Sequence, residues 1–219
     1  MAARVVCISR TLAAGGETVG RLACERLGFR YLDDEIVGKA AEKAGVDISR
    51  IVQAEHKQSF LDYVFDAMGR GTPTPAKSEY VLSQSVGRQP YADLHIANSV
   101  REEYRTLIRE VIAEVAAQGN AVIVAHAASM ALAGNPEVLR VLITASLPTR
   151  VQRVWLEGHL LNEDDATKAI NDSDRERADY LYRFYQVRDE LPTHYDLVVN
   201  TDHITLQQAV DVIVHLARS

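Results

Sequence analysis

Residues 11–18, Thr11-Leu12-Ala13-Ala14-Gly15-Gly16-Glu17-Thr18, carry the first chemistry legible in the chain. They follow an apolar, β-branched run, Val5-Val6-Cys7-Ile8, and precede a segment with Val19, Leu22, Ala23 and Leu27 at helical spacing. A strand, a small-residue turn with paired glycines and a helix, in that order, bring unbonded N–H groups and the positive end of a helix dipole to the carboxyl end of a strand. That arrangement binds phosphate. The phosphate-loop pattern G-x-x-x-x-G-K-[ST] lies over residues 11–18 with matches at Gly16 and Thr18. Thr11 stands where the first glycine belongs, and Glu17 where the lysine belongs.

The elements that must position this loop follow from hydrophobic spacing and end signals. Strands are expected at 5–8, 29–33, 121–125, 139–145 and 195–200, each rich in apolar and β-branched residues. Helices are expected over 19–27, closed by Gly28; over 34–44, closed by Gly45; over 47–68; and over 91–118, where Tyr104, Leu107, Ile108, Val111, Ile112 and Val115 form the clearest apolar stripe. Another starts at Pro148. A further, strongly charged helix starts after an Asn162 cap and runs to about Tyr185. Thr205 and Gln208 form a capping box before the last helix. The glycines and prolines of 69–77 exclude regular structure there. Strands alternating with helices predict one α/β domain over residues 1–219, built on a five-stranded parallel sheet with insertions over its carboxyl edge.

Composition bounds the function. The chain has 219 residues, 47% hydrophobic and 25% charged, enough for a core without disulfides. A net charge of −6 argues against nucleic acid as the main partner. Cys7 and Cys24 lack metal-ligand spacing and read as core residues of a reducing compartment. Only Met-Ala-Ala-Arg precedes the first strand, so no signal peptide and a cytoplasmic location are expected, with no membrane association. No histidine pair has zinc spacing.

Four local patterns resemble the cytidylate kinase-like family of P-loop nucleoside-monophosphate kinases. They are Ile8-Ser9-Arg10 followed by Gly15-Gly16, Tyr31-Leu32-Asp33-Asp34-Glu35, Asp174-Arg175-Glu176-Arg177-Ala178-Asp179-Tyr180, and Tyr195-Asp196-Leu197-Val198-Val199-Asn200-Thr201. Their order spans nearly the whole chain. The resemblance implies a P-loop NTPase-type three-layer α/β/α fold. It further implies an acceptor-binding helical insertion at 46–118, a lid region at 149–190, and transfer of the ATP γ-phosphate to a pyrimidine nucleoside monophosphate or similar small acceptor. It places ATP on Arg10, Ala14, Gly15, Gly16, Glu17 and Thr18, with the Thr18 hydroxyl as a Mg²⁺ ligand. Asp33, His126 and Arg105 fall to the acceptor, Arg177 and Arg153 to catalysis, and Arg150 and Arg175 to the lid. Phosphoryl transfer needs in-line positioning and positive charge around the moving group, which gives converging arginines a purpose.

Three departures from the family pattern oppose that reading. Ala13-Ala14 replaces Gly-Ser, which reduces backbone freedom. Glu17 sets an acid against polyphosphate unless it is solvated or turned away, although an acid in a first helical turn is also favoured by the dipole. His126 stands where an arginine would hold the acceptor phosphate, and it carries charge only when protonated. The lid arginines have a bland alternative as i, i+3 and i, i+4 partners of Asp172, Asp174, Glu176 and Asp179 on a surface helix. Two other functions stay open: a degenerate kinase fold that binds a nucleotide or a protein without turnover, and a nucleotide-sensing module with a docking loop at 69–90. A homodimer through 46–100 is a further expectation, because the apolar stripe Phe60, Leu61, Val64, Phe65 and Met68 exceeds what a small lobe buries.

Overall fold

The computed structural model describes residues 2–45, 91–124, 126–156 and 162–219, with side chains for all of these except Asp34 and residues 91–104. The expectations for a helix over 47–68, a loop at 69–90 and a dimer surface at 46–100 fall outside the described residues, save for the start of the helix at 91. Elements run β1 (Val5–Arg10), α1 (Gly16–Leu27), β2 (Arg30–Leu32), α2 (Asp34–Ala44), α3 (Tyr91–Gln118), β3 (Ala121–Val124), α4 (Ala128–Ala131), β4 (Val138–Thr144), α5 (Leu147–Leu156), α6 (Glu163–Tyr185), β5 (Leu197–Asn200) and α7 (Leu206–Arg218). A 3-10 turn at Pro192–His194 precedes β5.

The five strands form one wholly parallel sheet in the order β2-β3-β1-β4-β5. Val5, Val6, Cys7 and Ile8 pair with Ala121 to Val124 on one side and with Val138 to Val141 on the other, so β1 is central. Burial on both faces explains why its sequence is an unbroken apolar run rather than an alternation.

Alternate residues of β1 feed two cores. Val5 and Cys7 pack with Ile36 and Ala40 of α2 and with Ile108, Val111, Ile112 and Val115 of α3. Val6 and Ile8 pack with Val19 and Ala23 of α1 and with Val210 and Ile213 of α7. Helices therefore cover both faces, in the three-layer α/β/α arrangement expected. Both cysteines are buried and free; burial pushes the Cys7 thiol well above its usual range, and the Cys24 Sγ donates to the Phe29 carbonyl.

A third cluster joins α5 and α6 to the loop after β1. Leu12, 3% exposed, packs against Val151 and Val154 of α5 and Ala166, Ala169 and Ile170 of α6.

Several boundaries shift from the expected ones for local reasons. β2 is Arg30–Leu32 rather than 29–33, because the Phe29 amide is spent on Cys24 O in the α1 cap and Asp33 turns as the residue before α2. β5 begins at Leu197 rather than 195, because Tyr195 closes the 3-10 turn and the Asp196 carboxylate takes the Arg140 amide at 2.8 Å and its guanidinium at 3.1 and 2.6 Å. The Asn162 cap and the Thr205–Gln208 capping box both form. The four-residue α4 is an addition that no spacing argument provided.

Candidate phosphate-loop site

Parallel strands put their carboxyl ends on one edge, and that edge gathers Arg10, the loop after β1, Asp33, His126 and Thr201. β1 ends at Arg10. The Thr11 amide still donates to Ile143 O at 3.1 Å, and the chain then turns, with Ala14 N bonded to Thr11 O at 3.1 Å. Two residues take left-handed backbone, Ala13 at φ 61° and Gly15 at φ 85°. The second suits glycine; at the first, alanine carries strain.

Helix α1 starts at Gly16, and Gly15 caps it without a side-chain bond. The first intrahelical donor is Val19 N, to Gly15 O at 3.0 Å. Among the described residues no acceptor takes the amides of 15–18, so they converge unbonded at the positive end of a 12-residue helix. Gly15, Gly16, Glu17 and Thr18 therefore occupy the positions expected of a phosphate cradle, and the Thr18 side chain is exposed on the first turn.

The loop is pinned from behind. Arg153 Nη1 donates to Ala13 O at 3.1 Å and to Thr201 Oγ1 at 2.9 Å, and Nη2 donates to Thr201 O at 2.7 Å. The Thr201 hydroxyl lies 3.0 Å from Ala14 O. Arg153 thus holds the backbone of the loop itself, a positioning contact that its assignment to catalysis did not anticipate. Thr201, the last residue of the Tyr195–Thr201 pattern, is a site residue that carried no assigned role.

Glu17 does not stand alone against the cradle. Its Oε1 lies 2.6 Å from Arg10 Nη2, with side-chain exposures of 39% and 15% respectively. A Cβ added at Gly16 would sit 2.5 Å from Arg10 Cβ and 3.0 Å from its Cδ. The arginine stem therefore runs directly across Gly16, an approach only glycine permits.

On the β2–β3 side, His126 Nε2 lies 3.1 Å from Asp33 O and 3.5 Å from its Oδ1, and Tyr31 Oη lies 3.4 Å from Asp33 Oδ2. Burial pushes the Asp33 carboxyl up, but the His126 bond and charge, the Arg10 charge and the Tyr31 hydroxyl outweigh it and hold the group below its usual range. His126 and Ala127 both have left-handed backbone, φ 51° and 48°, strained for non-glycine residues at the turn into α4. The guanidinium of Arg21 stacks 4.5 Å from the Tyr31 ring centroid.

The α6 side carries a second polar group of residues. Arg177 Nε and Nη2 donate to the two carboxylate oxygens of Glu190 at 2.9 and 2.5 Å, and Nη2 lies 3.3 Å from Tyr195 Oη. The Tyr195 hydroxyl also bonds Glu190. Arg177, Glu190, Thr11 and Arg188 line a cleft of about 110 Å³ between the loop and α6. Arg150, 6% exposed, makes a two-pronged bond to Asp174 at 2.9 and 2.7 Å. Arg175 is exposed and meets Asp172 at 3.4 Å, the bland surface pairing weighed for it. Arg105, expected at the acceptor site, stands 3.5 Å from the centroid of Phe184, tying α3 to the end of α6. The sequence reading missed Glu190 and Arg188; nothing in 186–191 marks them as partners of Arg177.

The chain is similar in fold to solved proteins of low identity. An uncharacterized protein from Eubacterium ventriosum ATCC 27560 superposes with a TM-score of 0.63 at 14% identity, over 97% of each chain. Shikimate kinase from Bacteroides thetaiotaomicron gives 0.48 at 15%, over 97% of each chain. Shikimate kinase from Acinetobacter baumannii in complex with shikimate gives 0.47 at 15%, over 97% of this chain and 91% of that one. Among curated proteins none matches in sequence. The sequence profile of the cytidylate kinase-like family matches residues 5–203, and with that span of nearly the whole chain the protein belongs to this family.

Proposed function

We propose that the protein is a phosphotransferase that moves the ATP γ-phosphoryl group to a nucleoside monophosphate, a pyrimidine nucleotide or a similar small acceptor, releasing ADP. The observation that carries this reading is the cradle of unbonded amides at residues 15–18, pinned by Arg153 and Thr201 at the carboxyl edge of the sheet. Its donors fit a polyphosphate: backbone N–H groups, a helix dipole and the Arg10 guanidinium. Mg²⁺ fits less completely. Thr18 offers a hydroxyl and Asp33 a carboxylate, and among the described residues no cluster of three acidic, histidine or cysteine groups could hold a metal. Mg²⁺ retains waters and binds through substrate phosphates, so such a sparse set suits it; bound there, the ion would supply charge neutralisation on the phosphates.

In this reading Arg177, beside the cleft at Thr11, meets the transferring group, and Arg150 and Arg175 shape the lid at 149–190. Asp33 and His126 orient the acceptor, and Arg105 braces α3 against the end of α6. Two buried free cysteines support a reducing, cytoplasmic setting, and no described helix is long and apolar enough to cross a membrane.

A second reading draws support from the same distances. Arg177, Arg150 and His126 are each engaged with a carboxylate or carbonyl of the chain itself, as a fold that binds nucleotide or a protein without turnover would have them. ATP calorimetry beside a coupled ADP-release assay over a panel of nucleoside monophosphates separates the two. Binding with acceptor-dependent ADP release supports the kinase; binding alone supports the second reading; no binding at millimolar ATP sinks both as nucleotide sites.

A further inference from the structure

We infer that the Thr11 hydroxyl binds the terminal phosphate of the nucleotide, which it meets in the cleft between the loop after β1 and α6. The inference rests on the phosphotransferase reading above and assigns that site one further binding residue.

Thr11 is held by its backbone, while its side chain is idle. Its amide donates to Ile143 O and its carbonyl accepts from Ala14 N, both at 3.1 Å, so the residue is fixed between the end of β1 and the turn. Its Oγ1 is buried and has no hydrogen-bond partner among the described residues. A buried hydroxyl without a partner lowers the stability of a fold, so such groups are scarce and point to something that completes them. The Thr201 hydroxyl, which also meets this loop, shows the contrast: it is bonded to Arg153 Nη1 at 2.9 Å and to Ala14 O at 3.0 Å. Rotation of Thr11 about its Cα–Cβ bond toward the cleft breaks no hydrogen bond, whereas a satisfied hydroxyl would have to give one up.

The cleft has the size and charge for one phosphoryl group. Its volume is about 110 Å³. A pocket that encloses a whole small molecule has roughly 300 Å³ or more, so this one suits a single group of a ligand whose body lies elsewhere. Of the charged residues that line it, Arg177 is paired with Glu190, and Asp174 is paired with Arg150. Arg188 also lines it, is exposed, and meets no carboxylate among the described residues; its guanidinium stands 5.9 Å from the Tyr182 ring centroid. One positive charge therefore remains beyond the internal pairs, and an anion balances it. A phosphate oxygen accepts a hydroxyl proton readily. Because the cleft also holds Arg177, placed above at the transferring group, the phosphate met here is the terminal one. A glycine at position 11, as the phosphate-loop pattern has it, could offer only its amide, and in this chain that amide is spent on β4.

Thr11→Val removes the hydroxyl and keeps the shape of the side chain. Without ligand its Tm should equal or exceed that of the wild type, because no hydrogen bond is lost. Its calorimetric Kd for ATP should weaken about tenfold, the worth of a hydrogen bond to a charged group. Its Kd for ADP, which lacks the terminal phosphate, should stay within about twofold of the wild type. Thr11→Ser, which retains the hydroxyl, should bind ATP within about threefold of the wild type, and Arg188→Met should weaken ATP binding several-fold. A hydroxyl satisfied by water alone predicts the reverse for Thr11→Val: a lower Tm with both nucleotides bound as before. That result overturns the inference. So does a loss of ATP and ADP alike, or an Arg188→Met variant that binds ATP as the wild type does; the phosphotransferase reading survives each of these. If the wild type itself binds no ATP at millimolar concentration, that reading falls and takes the inference with it.

Discussion

Arg177 and Glu190 form a two-pronged ion pair, at 2.9 and 2.5 Å, beside the cleft that separates α6 from Thr11. Both side chains are 20% exposed, so the pair sits between the surface and the core, and the Tyr195 hydroxyl bonds both members. Structural and catalytic roles for Arg177 give different double variants. Arg177→Met alone leaves the Glu190 carboxylate short of a partner and should lower stability by about 1–3 kcal/mol. Arg177→Met with Glu190→Gln removes the orphaned charge and should regain most of that loss. Turnover should stay down about 10²- to 10³-fold in both, the usual cost of one transition-state donor. Urea unfolding and ADP release on the same samples make the comparison, and recovery of turnover in the double variant would show Arg177 to be structural.

Acid should weaken the fold through two carboxylates that the edge holds ionised. Glu190 is driven up by burial but held low by Arg177, and Asp33 is likewise driven up by burial but held low by His126 and Arg10. A carboxyl with a native pKa below its unfolded value contributes stability that is present above the unfolded pKa and is lost as pH falls through the native one. The ordinary values are 4.5 and 3.8, so this contribution should be in place above about pH 4.5 and should be lost as pH falls below it. Asp33→Asn and Glu190→Gln should each flatten that acid slope. Variants that retained the wild-type slope would place the linkage on other groups.

The clamp of Arg153 on Thr201 and Ala13 predicts an effect on the loop rather than on chemistry. Thr201→Val keeps the shape of the side chain but removes the hydroxyl that lies between Arg153 Nη1 and Ala14 O. A buried hydrogen-bonding group lost in this way costs about 1–2 kcal/mol. The loosened cradle should raise the KM for ATP several-fold, with kcat within about twofold of the wild type, since the clamp sits behind the loop. A fall in kcat at unchanged KM would move Arg153 from positioning to catalysis.

What the sequence made legible was the part written in periodicity and local caps. The central strand, the α3 stripe, the Asn162 cap and the Thr205–Gln208 box each depend on residues within a few positions, and each formed as expected. The site was legible to the extent that it is backbone: the turn at Gly15, the start of α1 and the carboxyl edge follow from chain order alone. What was not legible is where long side chains end. Arg10 could turn to Glu17 only because Gly16 lies across its path in space, and Arg153 reaches Thr201 across 48 residues. Arg105 turned to Phe184 for the same reason: the α3–α6 contact is tertiary. Glu190, in an irregular segment, gave no local signal, yet it decides the state of Arg177.

Leu12 packs the loop against α5 and α6, and its truncation tests whether the loop and these helices are mechanically coupled. It lies in the loop after β1 but is buried among Val151, Val154, Ala166, Ala169 and Ile170, with Ala13 packed beside it, so α5 and α6 pack on the loop chiefly through this leucine. Leu12→Ala opens a cavity and should cost about 2–5 kcal/mol. Leu12→Met, which conserves volume, should cost less than about 1.5 kcal/mol. If the cluster transmits position, the alanine variant should also raise the KM for ATP, at temperatures well below its midpoint, while the methionine variant should not. A stability loss with an unchanged KM would show that the cradle is held by Arg153 and Thr201 alone, with Leu12 serving only the α5–α6 core.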